Sequence, residues 1–285
     1  MRPVAVVTGK QTRAYWVSHN NLVQREILPS GSQGQKTVVV SDALAGSPVV
    51  AAASQNSDIV LYIAESPTPR SATLWIEGRG SFPVSRDGGS ATSVAMVQTE
   101  SNRFVLFALD GRLGMSPIHA IPLEFDERGA PVFGEDRVVY VAGQAERHST
   151  LTTTVVGGFP LVLMPISQSA SNFGLMLLRV GIDEESPSWV DYPNGLDPAP
   201  IAAATVCGKP TIAFVHHESA DPSSKKVLEL AWLNDQAGLT DRTIVDKETA
   251  IRHVALADGG NGAGSGWVVY STSHELRGKR FGCRQ

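Results

Sequence analysis

Two of the seven histidines stand side by side, His216 and His217, with Glu218 and Asp221 just beyond them. Imidazoles and carboxylates at this spacing could move a proton or hold a metal ion. The metal reading fails if the segment is a strand, because neighbouring residues then project to opposite faces and cannot converge on one ion. His216 is thus a candidate proton carrier, His217 a candidate ligand contact, and no metal site is expected. His253 takes a place filled elsewhere in the chain by Val4, Val49, Val94, Thr153 and Ala203, so its imidazole could face a cavity. His19, beside Asn20 and Asn21, lies near Arg13 and Glu26 in the chain and completes the proton-transfer candidates.

Other candidate chemistry falls away on context. The run Glu124, Asp126 and Glu127 before Gly129 reads as a solvated charged turn. The stretch 85-SRDGG-89 partly echoes a sialidase Asp-box, a structural turn that carries no catalysis. Gly-rich 259-GGNGAGSG-266 has no following lysine and no helix to receive a phosphate, so it reads as a hairpin connection. No cofactor is expected. Cys207 and Cys283 are too few and too scattered for a disulfide framework or a zinc site, and are expected to be reduced thiols, buried or half-buried.

These residues hang on a repeat. Six times a small-residue stretch runs into an apolar strand with a bulky anchor: Trp16, Tyr62, Phe107, Met164, Phe214 and Tyr270, at steps of 46, 45, 57, 50 and 56 residues. A period near fifty that fills the chain is the pattern of radial repetition. An all-β, six-bladed β-propeller is expected, as one domain over residues 1–285 with blades near 2–42, 47–88, 91–143, 150–193, 199–248 and 251–285. A five- or seven-bladed ring and a sandwich are the alternatives.

Within each blade, turn signals separate four strands. The first is small and β-branched, as in 48-PVVAAAS-54, and suits a crowded axis. The second carries the anchor in a near-continuous apolar run, as in 59-IVLYIA-64, expected where both faces of the sheet are covered. The third alternates more, and the fourth is short and outermost. The sixth blade ends without its outer strand, which leaves an edge.

Composition fits a compact strand-rich body: 42% hydrophobic, 18% charged, with 27 glycines and 17 prolines for turns. A net charge of -4 argues against a nucleic-acid partner. No run reaches 18 apolar residues, so no membrane partner is expected, and the start MRPVAVVTG lacks the pattern of a signal peptide. A cytoplasmic location is the resulting expectation.

The segment 12-TRAYWVSHNNLVQREILPSG-31 resembles a blade of the fungal fucose-specific lectins, and the 47–65 and 200–218 segments resemble that family's first and second strands. The resemblance implies six blades with a sugar between blades, an arginine and a glutamate binding its hydroxyls and an aromatic against its apolar face. Arg13 and Glu26 match that pattern. At the place of Arg13 the later repeats carry Ile59, Phe104, Leu161, Thr211 and Trp267, so the repeated sugar site is mostly lost. Arg103 lies one place off and Glu229 stands in a suitable third strand, neither with an evident partner in its own repeat. Trp75, Trp232 and Trp267 are the candidate aromatics.

Two functional readings follow. Apolar residues in place of sugar-binding ones suit a small-molecule pocket, as in the fungal hetero-Diels–Alderases, propellers of secondary metabolism that also resemble the fucose lectins. Such a cofactor-independent pericyclase orients a reactive substrate with a few polar groups. The alternative is a fucose-type lectin with one or few competent sites, or a propeller that binds another protein. The expected partner is a small organic ligand or a fucosylated sugar, with a homodimer left open.

Overall fold

The computed structural model describes residues 5–8, 12–28, 32–54, 57–66, 69–84, 90–111, 116–142, 150–169, 172–181, 187–192, 196–219, 221, 223–248, 250–258, 264–273 and 275–283. The stretch 85–89 and most of the glycine-rich run lie outside them. Every regular element among them is a strand, and the strands form six consecutive antiparallel meanders in two compact units, residues 1–147 and 148–285.

The first unit holds three sheets. Sheet one is β1 (Ala5–Thr8), β2 (Thr12–Ser18), β3 (Asn21–Ile27) and β4 (Gln33–Val40). Sheet two is β5 (Val50–Ala53), β6 (Asp58–Ala64), β7 (Ser71–Ile76) and β8 (Gly80–Pro83). Sheet three is β9 (Ala91–Glu100), β10 (Arg103–Asp110) and β11 (Ser116–Phe125), whose long outer edge is shared by β12 (Pro131–Phe133) and β13 (Arg137–Ala142). β12 was not expected. Leu123 to Phe125 pair with it while Ser116 to Ala120 pair with β13, so one ten-residue strand serves two short partners.

The second unit repeats the plan. Sheet four is β14 (Thr152–Val156), β15 (Phe159–Ser169), β16 (Asn172–Arg179) and β17 (Ser188–Tyr192). Sheet five is β18 (Leu196–Val206), β19 (Lys209–His217), β20 (Lys226–Leu233) and β21 (Leu239–Glu248). Sheet six has three strands, β22 (Ile251–Asp258), β23 (Ser265–Thr272) and β24 (Leu276–Gly282), so the outer strand expected to be missing is missing among the described residues.

Burial follows strand order. All seven residues of β6 are buried, whereas β8 and β24 are largely exposed. The cause is face-to-face stacking. Tyr15 and Leu22 of sheet one pack on Val60, Tyr62 and Trp75 of sheet two, whose other face meets Phe104 and Leu106 of sheet three. In the second unit Leu163 and Leu175 meet Ile212 and Phe214, and Val215 and Leu228 meet Val268 and Tyr270. A strand sandwiched in this way must be apolar on both faces, which is why the second strands read as continuous runs. Of the six anchors, five are 2% exposed or less, and Trp16 alone is only half-buried.

The cysteines correct an expectation. Cys207 and Cys283 are joined in a disulfide, with Cα atoms 6.3 Å apart across 76 residues of sequence. Cys207 and Gly208 form the two-residue turn between β18 and β19, both at positive φ (51° and 72°), as a type I′ hairpin requires. The backbone N–H of Cys207 donates to Asp258 Oδ1 at the end of β22, and that of Cys283 donates to the Gly264 carbonyl. The sulfurs therefore meet where the fifth sheet's turn abuts the sixth sheet's last strand. Two cysteines far apart in sequence suffice for one bridge when the fold returns the chain to the same place.

Candidate functional site

Arg13 and Glu26 stand directly opposite each other on β2 and β3, on one face of sheet one. That is the face turned to sheet two, where Asp58 opens β6 and Glu77 follows β7. Nη1 of Arg13 donates to Asp58 Oδ2 at 3.2 Å and also to Glu77 Oε1. The Tyr15 hydroxyl, two residues along the same face, donates to Asp58 Oδ2 at 2.6 Å. Glu77 closes the set by accepting from the Asp58 amide at 3.4 Å.

Burial alone would lower the Arg13 pKa, but hydrogen bonding to Tyr15 and Glu77 and the nearby negative charge outweigh it and raise it. Burial, then the bond to Asp58, pushes the Tyr15 phenol up, so it stays a donor. The result is a fixed guanidinium with one carboxylate 9% exposed and one 37% exposed, beside Glu26, whose carboxylate has no hydrogen-bond partner among the described residues. Such a group can bind vicinal hydroxyls: the carboxylates accept, the guanidinium donates, and little reorganises on binding.

The other candidates distribute unevenly around this centre. Trp75 is buried behind it, its ring 6.0 Å from that of Tyr15, and so belongs to the core rather than to an open stacking face. His19 is not part of the site. It occupies the β2–β3 turn at positive φ, whereas Arg13 and Glu26 lie at the far end of that hairpin, roughly 20 Å away for six extended residues. Nearness in sequence across a hairpin turn is nearness to the wrong end of the strands.

His216 and His217 project to opposite faces, as strand geometry requires. His216 Nε2 lies 3.1 Å from Glu229 Oε2 and its Nδ1 lies 3.0 Å from the His217 carbonyl. His217 Nδ1 is buried with no hydrogen-bond partner among the described residues. Glu218 is exposed and paired with Lys247, and Asp221 caps a turn through Ser223. No cluster of three or more metal-ligating side chains occurs among the described residues. His253 is half-buried opposite Ser271, beside a register shift. Trp232 is buried edge-on against Phe281, and Trp267 is 42% exposed.

Two residues that looked partnerless do have partners in their own repeat. Arg103 stands directly across from Glu124, with Nε to Oε1 at 3.0 Å on an exposed surface, repeating the Arg13–Glu26 register one place along. Glu229, 5% exposed, accepts from Arg242 through both oxygens as well as bonding His216. Burial would raise the Glu229 pKa, but the bonds to His216 and Arg242 win and hold it at about 2. Of the residues at the place of Arg13, Ile59, Phe104, Leu161 and Thr211 are 1% exposed or less and are taken up by packing.

Comparison with solved structures gives the architecture. AofleA of Arthrobotrys oligospora matches with a TM-score of 0.59 at 11% identity, over 98% of this chain and 82% of that one. An Aleuria aurantia lectin mutant in complex with Fucα1-6GlcNAc matches with a TM-score of 0.60 at 12% identity, over 97% and 90%. A neuraminidase-like protein of A/little yellow-shouldered bat/Guatemala matches at 0.55 and 9%, over 96% and 92%. Aleuria aurantia lectin is described as a six-bladed β-propeller, and the fold of this chain is of that fucose-lectin-like class. No protein-family model and no curated protein matches the sequence.

Proposed function

We propose that this chain is a carbohydrate-binding propeller whose principal site is built on Arg13, Glu26 and Glu77, with Asp58 and Tyr15 as positioning residues. The observation that carries this reading is the Arg13 guanidinium held by two carboxylates directly across from Glu26, which has no hydrogen-bond partner among the described residues. A deoxyhexose such as fucose offers the adjacent hydroxyls that this set would bind, and Fucα1-6GlcNAc is the ligand of a structurally similar lectin. Arg103 and Glu124 make a second, more exposed pair of the same register. The cyclase reading has less support, because three of the four apolar substitutions that suggested a pocket, Ile59, Phe104 and Leu161, are consumed by packing between strands.

Titration calorimetry with α-methyl-L-fucoside, preceded by a glycan array, tests the proposal. Glu26→Gln leaves every described hydrogen bond in place and is expected to weaken binding by roughly tenfold, the cost of one charge-assisted hydrogen bond. Arg13→Lys is expected to weaken it further, because an ammonium cannot reproduce the fork. Absence of any sugar binding, or binding indifferent to both substitutions, would discard the reading.

A further inference from the structure

The opposite face of sheet one carries a different group of side chains. Alternation along β2 puts Trp16 on the face away from Arg13 and Tyr15, and the register places Arg25 across from Ala14 and Lys36 across from Arg25, both on that same face. The Arg25 guanidinium lies 5.9 Å and the Lys36 ammonium 5.8 Å from the centre of the Trp16 ring. Lys36 Nζ donates to Ser18 Oγ at 3.1 Å and Arg25 Nη1 donates to Gln33.

Three features mark this group; Arg179, over the Phe159 ring, shares the buried and unpaired Nε but brings one cation rather than two to its ring among the described contacts. Trp16 alone among the six anchors is left half-buried. Arg13, Arg103, Arg242 and Arg277 are all ion-paired, whereas Arg25 and Lys36 face no carboxylate at ion-pair distance among the described residues. Arg25 Nε is buried and has no acceptor among the described residues, so a charged donor is held out of water with its hydrogen bond unmade. Two cations held against an indole, one with an orphaned donor, are prepared for an anion.

We propose that Trp16, Arg25 and Lys36 form a second ligand site that takes the carboxylate or sulfate group of an acidic saccharide. The anion sits between the two cations, accepts from Arg25 Nε and Lys36 Nζ, and displaces no internal ion pair. The net charge of -4 disfavours a polyanion such as nucleic acid, which needs a long basic track. That the anion is borne by a sugar rests on the proposed function, while the affinity for the anionic group does not.

Trp fluorescence and calorimetry with a glucuronate-containing disaccharide, a sulfated disaccharide, their neutral counterparts and sodium sulfate test the site, with Trp16→Phe assigning the signal. Acidic sugars are expected to bind at least roughly tenfold tighter than neutral ones, to weaken with added salt, and to lose this preference in Arg25→Gln and in Lys36→Gln. The preferred acid then says whether carboxylate or sulfate is taken. Binding of α-methyl-L-fucoside should survive Lys36→Gln and fall in Glu26→Gln, so the two sites fail separately. Equal affinity for acidic and neutral sugars, a preference that persists in the Arg25→Gln/Lys36→Gln double variant, sulfate alone binding as tightly as the sulfated sugar, or tighter binding of a single-stranded oligonucleotide would each overturn the proposal.

Discussion

The first two sheets and the last two are tied by the same pair of groups, a tyrosine hydroxyl bonded to an aspartate of the adjacent sheet, in environments of different depth. Tyr15 reaches from β2 to Asp58, which is 9% exposed, with Arg13 the single cation among its described partners. Tyr270 reaches from β23 to Asp246, 17% exposed, where Arg277 and Lys279 both crowd in and Arg277 is shared with Glu248 and Glu275. The first tie is a fixed, nearly closed set beside a glutamate, Glu26, that has no partner among the described residues. The second is a network at the rim in which charges have several alternative partners. Depth decides the difference, since a buried group loses most when its partner is removed, while a rim charge falls back on water.

The last two sheets also have a covalent link, and removing it should produce the largest effect. The Cys207–Cys283 bridge closes a loop of 76 residues, for which the chain-entropy argument gives about 4 kcal/mol of stability. Cys207→Ser with Cys283→Ser is therefore expected to lower the denaturation free energy of the oxidised protein by about that amount. Faster hydrogen exchange should concentrate in β24, which forms the exposed edge of a three-stranded sheet. If exchange instead rose evenly across the chain, the bridge would not be the fastening of that edge.

The buried tie comes next. Asp58→Ala leaves the buried Tyr15 phenol without its acceptor and Arg13 with Glu77 as its remaining described carboxylate, and should cost about 3 kcal/mol in urea unfolding. Tyr15→Phe removes one hydrogen bond to a charged acceptor and should cost about 1.5 kcal/mol. Asp246→Ala should cost clearly less than Asp58→Ala, because Arg277 retains Glu248 and Glu275. Equal losses at Asp58 and Asp246 would erase the contrast between the two ties.

Much of the architecture was legible because it depends on properties that recur in each repeat. The apolar second strands and their anchors are consequences of stacking that every repeat expresses, and the three-stranded sixth sheet stood out as the repeat without a fourth strand pattern. The ties were not legible, and for one reason. Asp58 stands just ahead of a strand read as 59–64, and Glu77 lies at the end of a strand read as 71–78, so neither stands out within its own repeat. Their partner Arg13 lies 45 and 64 residues away, in another repeat. Comparing copies position by position asks whether a residue recurs, whereas these contacts join different positions in different copies. The cysteine bridge hid in the same way, and His19 shows the reverse error, close in sequence to Arg13 but at the other end of the hairpin. Arg103 and Glu124 were missed because the pair lies one place farther from the anchor Phe107 than Arg13 and Glu26 lie from Trp16, and Glu124 read as part of a charged turn.

Acid offers a third comparison, of smaller size. The folded-state pKa of Glu229 is depressed to about 2 from 4.5, so its contribution is present above the unfolded pKa and lost as pH falls through the folded one. Stability should decline between about pH 4.5 and 2 by about 3 kcal/mol. Glu229→Gln is expected to flatten that decline in pH-dependent urea melts, at some cost near neutral pH where Arg242 and His216 lose a charged acceptor. A decline of unchanged depth in the variant would assign the acid sensitivity to other carboxylates.

The rim network should give the smallest response and the most salt-dependent one. Burial would raise the Asp246 pKa, yet the bonds from Tyr270 and Lys279 lower it. The Tyr270 phenol is pushed up to about 12 by burial and by its bond to Asp246. All these charges lie within reach of solvent ions, and at about 0.5 M salt the screening length shrinks to about 4 Å, comparable to the separations inside the network. Arg277→Gln should therefore lower the melting temperature slightly in dilute buffer and not measurably in 0.5 M sodium chloride. Arg13→Gln should lower it in both, because Asp58, the deeper of its two carboxylate partners, is shielded from those ions. A salt-insensitive loss at Arg277 would mean that this tie is as closed as the one at Arg13, and that depth is not what separates them.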